Sequence, residues 1–358
     1  MVFYLLLSIV TALFSELSVK VKEKYAILFG IASVLIPSFF AGIRYGIGTD
    51  YFVTYSPFFD SLKKGITYND ATRITLEPGY VLINKLVIIM GGSFQWVLFI
   101  ASLITIIFIR QAVLYYQDKL DVGLAMLIFM LLYYQPSLNI VRQMMAVAIT
   151  LYSYRYIYEK RPFKFIFFVV LASLFHISAL IVLSFYTLFY IFTNKKYRWV
   201  ELLIYILAFY LVFNFQSLQP LLSSVGIPIR YMEYLRKVSN FTISVGLLLR
   251  IVPYIISLGM LWKYVKKSRI VIFNVKLFIL GSIIRLIVYM TQFDADRIAL
   301  YFLIPQVIFI PMLSKNYKRS FLSLIAVIIM ILTVVALWYF DYIYMNRNAT
   351  VPYVSIFN

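Results

Sequence analysis

The chain of 358 residues has no cysteine and a single histidine. The first absence excludes disulfides, thiolate metal sites and cysteine nucleophiles. The second excludes a metal centre built on a histidine cluster. Charge is also scarce: only 13% of residues are Asp, Glu, Lys or Arg, against 63% hydrophobic residues, and the mean hydropathy is +0.91. No polar stretch is long enough for a separate soluble domain of about 50 residues or more. Internal repeats and low-complexity segments are missing too. What remains is a series of apolar stretches of about 20 residues, the length that crosses a bilayer. The expectation is one all-α, polytopic transmembrane domain over residues 1–358. The first 19 residues lack a basic leading segment and a small-residue cleavage site, so they read as a retained span.

Hydropathy places spans near 2–19, 25–43, 94–116, 121–135, 140–158, 199–215, 243–263, 273–291, 297–314 and 319–340. With two apolar stretches left over, 77–92 and 163–193, this gives about 10–12 transmembrane helices plus re-entrant or interfacial segments. The net charge of +19 sorts by side. Lys20/Lys22/Lys24, Lys160/Arg161/Lys164, Lys195/Lys196/Arg198, Lys266/Lys267/Arg269 and Lys315/Lys318/Arg319 mark cytoplasmic loops, because basic residues are retained on that side. Stretch 163–193 then begins and ends inside. It should form two short legs or a re-entrant hairpin with His176 near the turn. Stretch 77–92 should begin and end outside. Loops 44–76 and 216–242 fall outside and read as interfacial helices or lids.

This orientation rests on basic residues alone, yet it gathers Arg44, Asp50, Glu77, Arg142, His176, Asp294, Asp296 and Arg297 on one side. Arg44-Tyr45-Gly46-Ile47-Gly48-Thr49-Asp50-Tyr51 puts a cation, two turn-forming glycines and a carboxylate where a span ends. Arg142 opens a span within Asn139-Ile140-Val141-Arg142-Gln143. A cation opposes the dipole at a helix N-terminus, so it is not there for helix stability; with free amide donors beside it, it suits an anion. Arg297 repeats that situation. A histidine within a membrane-embedded segment, as His176 is, is a functional candidate. Arg250 and Arg285 lie inside spans and need a polar cavity or a partner; for Arg285 the carboxylates of Asp294 and Asp296 are candidate partners. The aromatic residues Tyr45, Tyr51 and Tyr301 are candidate sugar-stacking platforms. The whole set points to a lipid-linked, anionic substrate.

The segments Arg44–Tyr51, Glu77-Pro78-Gly79-Tyr80 before Leu82-Ile83-Asn84, Asn139–Ala146, Ser173–Leu180, Arg297 with Tyr301-Phe302, and Val351-Pro352-Tyr353 occur in this order. Together they resemble the EpsG family, a branch of the Wzy-like oligosaccharide repeat-unit polymerases of bacterial exopolysaccharide, capsule and O-antigen assembly. The resemblance implies a GT-C-like helical fold in the bacterial plasma (inner) membrane. It implies a metal-independent glycosyltransferase that needs no cofactor and joins undecaprenyl-diphosphate-linked oligosaccharides, one as donor and one as acceptor. Membrane lipids, a chain-length regulator and a flippase would be its partners, and nucleic acid would not. On that reading Arg44, Arg142 and Arg297 bind diphosphate with Arg285 in reserve, since the planar guanidinium binds such a group bidentately. His176 is the candidate base, with Asp50 and Glu77 as alternative bases or as partners that hold an arginine. Two other readings remain: a flippase for the same lipid-linked glycan, and a membrane acyltransferase that modifies the polymer.

With no native cysteine to interfere, sidedness is directly measurable. Single cysteines at Ser56 and Ser239 are expected to react with a membrane-impermeant thiol reagent in intact cells, and one at Ser268 to stay unlabelled. Labelling of Ser268 with protection of Ser56 would invert the orientation.

Overall fold

The computed structural model describes residues 1–65, 76–214, 244–290, 296–316 and 320–357. Loop 216–242, Asp294, Lys318, Arg319 and Ser239 lie outside these residues, as does 66–75 of loop 44–76. The described chain is helical, and its β-type pairing is one isolated antiparallel bridge between Arg44 and Ser355. In chain order the main helices are α1 (Val2–Lys20), α2 (Glu23–Gly42), α3 (Ser56–Lys63), α4 (Pro78–Ile89), α5 (Phe94–Leu114) and α6 (Val122–Asn139). There follow α7 (Val141–Tyr158), α8 (Pro162–Ser173), α9 (Ser184–Thr193) and α10 (Arg198–Phe213). The last are α11 (Val245–Val265), α12 (Arg269–Met290), α13 (Asp296–Leu303), α14 (Gln306–Asn316) and α15 (Phe321–Trp338).

Among the described residues seven helical stretches are long and apolar enough to cross a membrane: α1, α2, α5, α6, α11, α13 with α14, and α15 with its continuation to Tyr344. The polytopic all-α expectation therefore holds. Helices α7, α10 and α12 coincide with three further expected spans. Two of them carry in-helix cations, Arg142 and Arg155 in α7 and Lys276 and Arg285 in α12; the third, α10, has 16 residues. The two leftover stretches form shorter elements. Residues 162–193 fold into a hairpin, α8 down and a 3₁₀ turn (Ile177–Leu183) with α9 back, with His176 in the link. The path then bends by 98° into α10. With 12 residues α4 reaches about 18 Å, short of a bilayer's roughly 30 Å hydrocarbon core.

The lysine-rich loops share one end. Glu16 bonds both Lys20, at 2.6 Å, and the amide of Gly123, at 2.6 Å. Lys315 Nζ donates to the carbonyls of Gln117 and Leu120, at 3.1 and 3.2 Å. In the apolar spans several hydroxyls bond within their own helix, as where Ser8 donates to Tyr4 O and Ser15 to Thr11 O.

Helix α7 is the central post. Most of its residues are buried on every side, including small Ala146, Ala148 and Ser153, which let α5, α6, α8 and α13 pack closely around it. Its N-terminus thereby holds Arg142 and Gln143 at the opposite end from the lysines. There the C-terminal segment ties the first elements together. Thr350 O accepts from Tyr4 Oη at 2.8 Å and its Oγ1 from Gln135 Nε2 at 2.8 Å. Tyr353 stacks on Phe3 and donates to Phe40 O at 2.8 Å, while Tyr45 N donates to Val354 O at 3.0 Å.

The hairpin tip is seated by Gly79. Its amide donates to Leu174 O at 2.8 Å, and a Cβ there would lie 2.7 Å from the same oxygen. Gly79→Val is expected to cost about 1–3 kcal/mol, the usual range for overpacking, and to lower the unfolding midpoint of detergent-purified protein. An unchanged midpoint would mean that the tip is not held there.

Candidate functional site

The hairpin link presents His176 to the far end of α7 and the start of α13. His176 Nδ1 lies 2.6 Å from Ser178 Oγ, which lies 3.0 Å from Tyr301 Oη. The ring is thus held at one nitrogen, and Nε2 takes no part in that chain. Tyr301 is fully buried and also bonds Gln143, whose amide donates to the carbonyl of Arg297. His176 sits in the link between helices rather than in a span. Burial holds its imidazole at about 4, well below the ordinary 6.5, with Arg142 and Arg297 adding to that effect and Glu77 opposing it. The ring is therefore neutral near pH 7, and three charged groups are close enough to act on it.

Arg142 is paired with Glu77, the residue that precedes α4, and is bonded to the hydroxyl of buried Tyr55. This contact fixes the first turn of α4 against the first turn of α7. Asn139, one turn earlier, joins three segments. Its Oδ1 accepts from Thr49 Oγ1 at 3.1 Å and from Asp50 N at 3.0 Å, and its Nδ2 donates to Asn348 Oδ1 at 3.0 Å. A Cβ at Gly48, which has φ +96, would meet Leu138 O at 2.9 Å, so the glycine lets the Arg44–Asp50 loop lie directly on that turn.

Beside this network opens a cavity of about 840 Å³, counting the part open to solvent. Four arginines line it: Arg250, Arg285, Arg297 and Arg347, together with Asp296, Asp341, Asn139 and Asn348. Arg285 Nε donates to Asp296 Oδ1 at 2.6 Å, Arg250 pairs with Asp341, and Arg347 reaches Asp341 at 3.3 Å and Asp296 at 3.7 Å. Four guanidinium groups against two carboxylates leave this wall with a formal charge of 4 − 2 = +2. Arg297 belongs to both halves, lining the cavity and acting on His176.

Of the residues expected from the sequence, Glu77, Arg142, His176, Arg297 and Tyr301 come together, with Arg285 on the adjoining cavity. Asp50 reaches the cluster through its amide on Asn139 and through the effect of its charge on Tyr55. Arg44 is placed differently. It is buried at 2% exposure and donates to the carbonyls of Ala41, at 2.6 Å, and Leu138, at 2.9 Å. Tyr51 packs edge-on against Phe94, Phe52 and Tyr45 and is 3% exposed. Both stand in the frame behind the cluster. Asp341, Arg347, Gln143, Ser178 and Tyr55 are site residues that the sequence reading passed over. Asp341 had a usable signal, as the one carboxylate in the apolar stretch 321–344. Among the described residues no three of His, Cys, Asp and Glu gather as they would around a metal ion.

The sequence pattern of the EpsG family matches residues 27–355, nearly the whole chain. No curated protein matches the chain, and no solved structure does.

The Glu77–Arg142 pair is mostly shielded, with 16% and 18% of the side chains exposed. Removing one partner of such a pair costs about 3–5 kcal/mol, whereas replacing both by apolar groups costs far less. Glu77→Ala is expected to destabilise the purified protein strongly, and Glu77→Leu with Arg142→Met to recover much of the loss. A double variant as unstable as the sum of its parts would deny the pairing.

Proposed function

The chain belongs to the EpsG family, a bacterial membrane family of Wzy-like polysaccharide polymerases, and we propose that it joins undecaprenyl-diphosphate-linked oligosaccharide repeat units at the outer face of the plasma membrane. The growing chain leaves its carrier as the anomeric carbon–oxygen bond to the diphosphate breaks. A new bond forms from that carbon to a hydroxyl of the incoming repeat unit, and the hydroxyl proton passes to a base. Diphosphate is already a good leaving group. The protein must supply cations for its developing charge, a proton acceptor and alignment of the two glycans.

The observation that carries this reading is the junction at Arg297, where a cavity of net positive charge meets a neutral, oriented histidine. In the proposed mechanism Arg297, Arg285, Arg250 and Arg347 receive the diphosphate, whose charge replaces Asp296 and Asp341 as the partner of the last three. A planar fork suits this exchange better than an ammonium group. His176 takes the acceptor proton at Nε2 while Ser178 and Tyr301 hold the other face of the ring. Glu77 stabilises the imidazolium so formed, and Arg142 holds Glu77 in place. Asp50 remains the alternative base. We assign Arg44 and Tyr51 to support of the loop that carries Asp50. Metal-free transfer belongs to this proposal, since guanidinium groups take the role a divalent cation would have. The outer-face assignment rests on the lysine-rich ends being cytoplasmic.

His176→Gln keeps a similar size and one hydrogen bond but cannot accept a proton near neutral pH. Loss of a general base costs about 10²–10⁴ in rate. Cells carrying this variant at normal membrane levels should therefore accumulate single repeat units on the lipid carrier and make almost no polymer. Normal polymer would remove His176 from the reaction. Repeat units trapped on the cytoplasmic leaflet would favour a flippase, and full-length polymer lacking acyl groups an acyltransferase.

A further inference from the structure

At the lysine-rich end, away from the site, α1, α2 and α5 leave an open groove of about 1040 Å³ on the lipid-facing side. Its walls are largely aliphatic, with Ile27, Val34, Leu103 and Ile107 among them. Into it projects one cation, Arg110. Its Nη2 donates to Ser18 Oγ at 2.8 Å, its Nε is buried without a hydrogen-bond partner, and among the described residues no carboxylate pairs with it. The other guanidinium groups inside the helical bundle are held by carboxylates, by carbonyls or by tyrosines. Arg110 stands four residues before the end of α5, which puts it about 6 Å along the helix from that end. That is where the headgroup region of the leaflet begins, within reach of a side chain that extends toward it.

Gly30 makes the room. A Cβ there would lie 2.9 Å from Arg110 Nη2, so the bare position lets the guanidinium lie close across the face of α2. An aliphatic groove that holds a cation without an acidic partner among the described residues is complementary to a phospholipid with an anionic headgroup: chain along Val34, Leu103 and Ile107, phosphate on Arg110. From this geometry we infer a binding site for one anionic phospholipid of the leaflet that meets the lysine-rich ends. The occupant is a single lipid because the groove holds one guanidinium, and it is anionic because among the described residues no carboxylate meets that charge.

The test uses the full chain in nanodiscs of phosphatidylcholine into which phosphatidylglycerol is titrated, read by the unfolding midpoint and by native mass spectrometry of retained lipid. A ligand that binds only the folded state raises the midpoint, and a shift of about 2–4 °C is expected for the wild type. Arg110→Gln should lose the shift and the retained phosphatidylglycerol. Gly30→Leu should lose both with Arg110 still present. Lys22→Gln, on the same end but outside the groove, should keep both. Retention of phosphatidylglycerol by Arg110→Gln at the wild-type level would assign the effect to the surface lysines and overturn the site. Equal stabilisation by phosphatidylcholine alone would overturn it too, as would a dimer that persists without anionic lipid.

Discussion

A guanidinium group inside a bilayer protein must be met by something, and this chain has 33 basic residues against only 14 acidic ones. The scarcity decides how the site end is built. Arg142 has Glu77, Arg285 has Asp296, Arg250 has Asp341, and Arg347 shares the last two carboxylates. Arg44 is met by backbone carbonyls instead. The Arg142–Glu77, Arg250–Asp341 and Arg347–Asp296 pairs and the Arg44 bond to Leu138 O join elements far apart in sequence, so these contacts also close the fold. Two carboxylates serving three arginines on one cavity wall leave positive charge to spare. An anion entering there would replace partners that are already shared, which costs less than stripping a cation of a private one.

The same end is held from both sides. From within, α7 is buried on every face and cannot rotate without opening the core, so the directions of Arg142 and Gln143 are set. From without, the C-terminal segment crosses from α15 to α1, to the Arg44 loop and, through Asn348, to Asn139. The hairpin of 162–193 brings His176 up to this frame and Gly79 seats it. A short re-entrant segment suits a reactive side chain. It allows His176 to approach Tyr301 without spending a whole span.

Much of this is legible in the amino-acid sequence. Apolar stretches marked the helices, and the lysine loops led to the expectation of two short legs or a hairpin over 163–193 with His176 near the turn, where the chain does fold back. Charges inside spans flagged Arg250 and Arg285, both of which line the cavity. The reading stopped where partners come from distant segments. Nothing near Arg44 announces that Leu138 O, 94 positions away, will accept its bond. Nothing near Tyr51 announces that Phe94 will cover it. Arg347 and Asp341 were passed over because a basic residue in a C-terminal tail and a carboxylate near a span end look like interfacial anchors until the cavity between them is seen. Arginine-rich sequence locates an end of a membrane protein; which cations are structural follows only from what meets each one.

The central claim is that Arg297 links a diphosphate-binding wall to a histidine base. The most direct measurement is polymer formation by the purified chain in vesicles supplied with lipid-linked repeat units, in the presence of a metal chelator, for the wild type and Arg297→Lys at matched protein. The account predicts a ladder of products for the wild type and its near absence for the lysine variant, which keeps the charge but not the bidentate fork. A wild type that yields no ladder until metal is restored, or a lysine variant as active as the wild type, would contradict it.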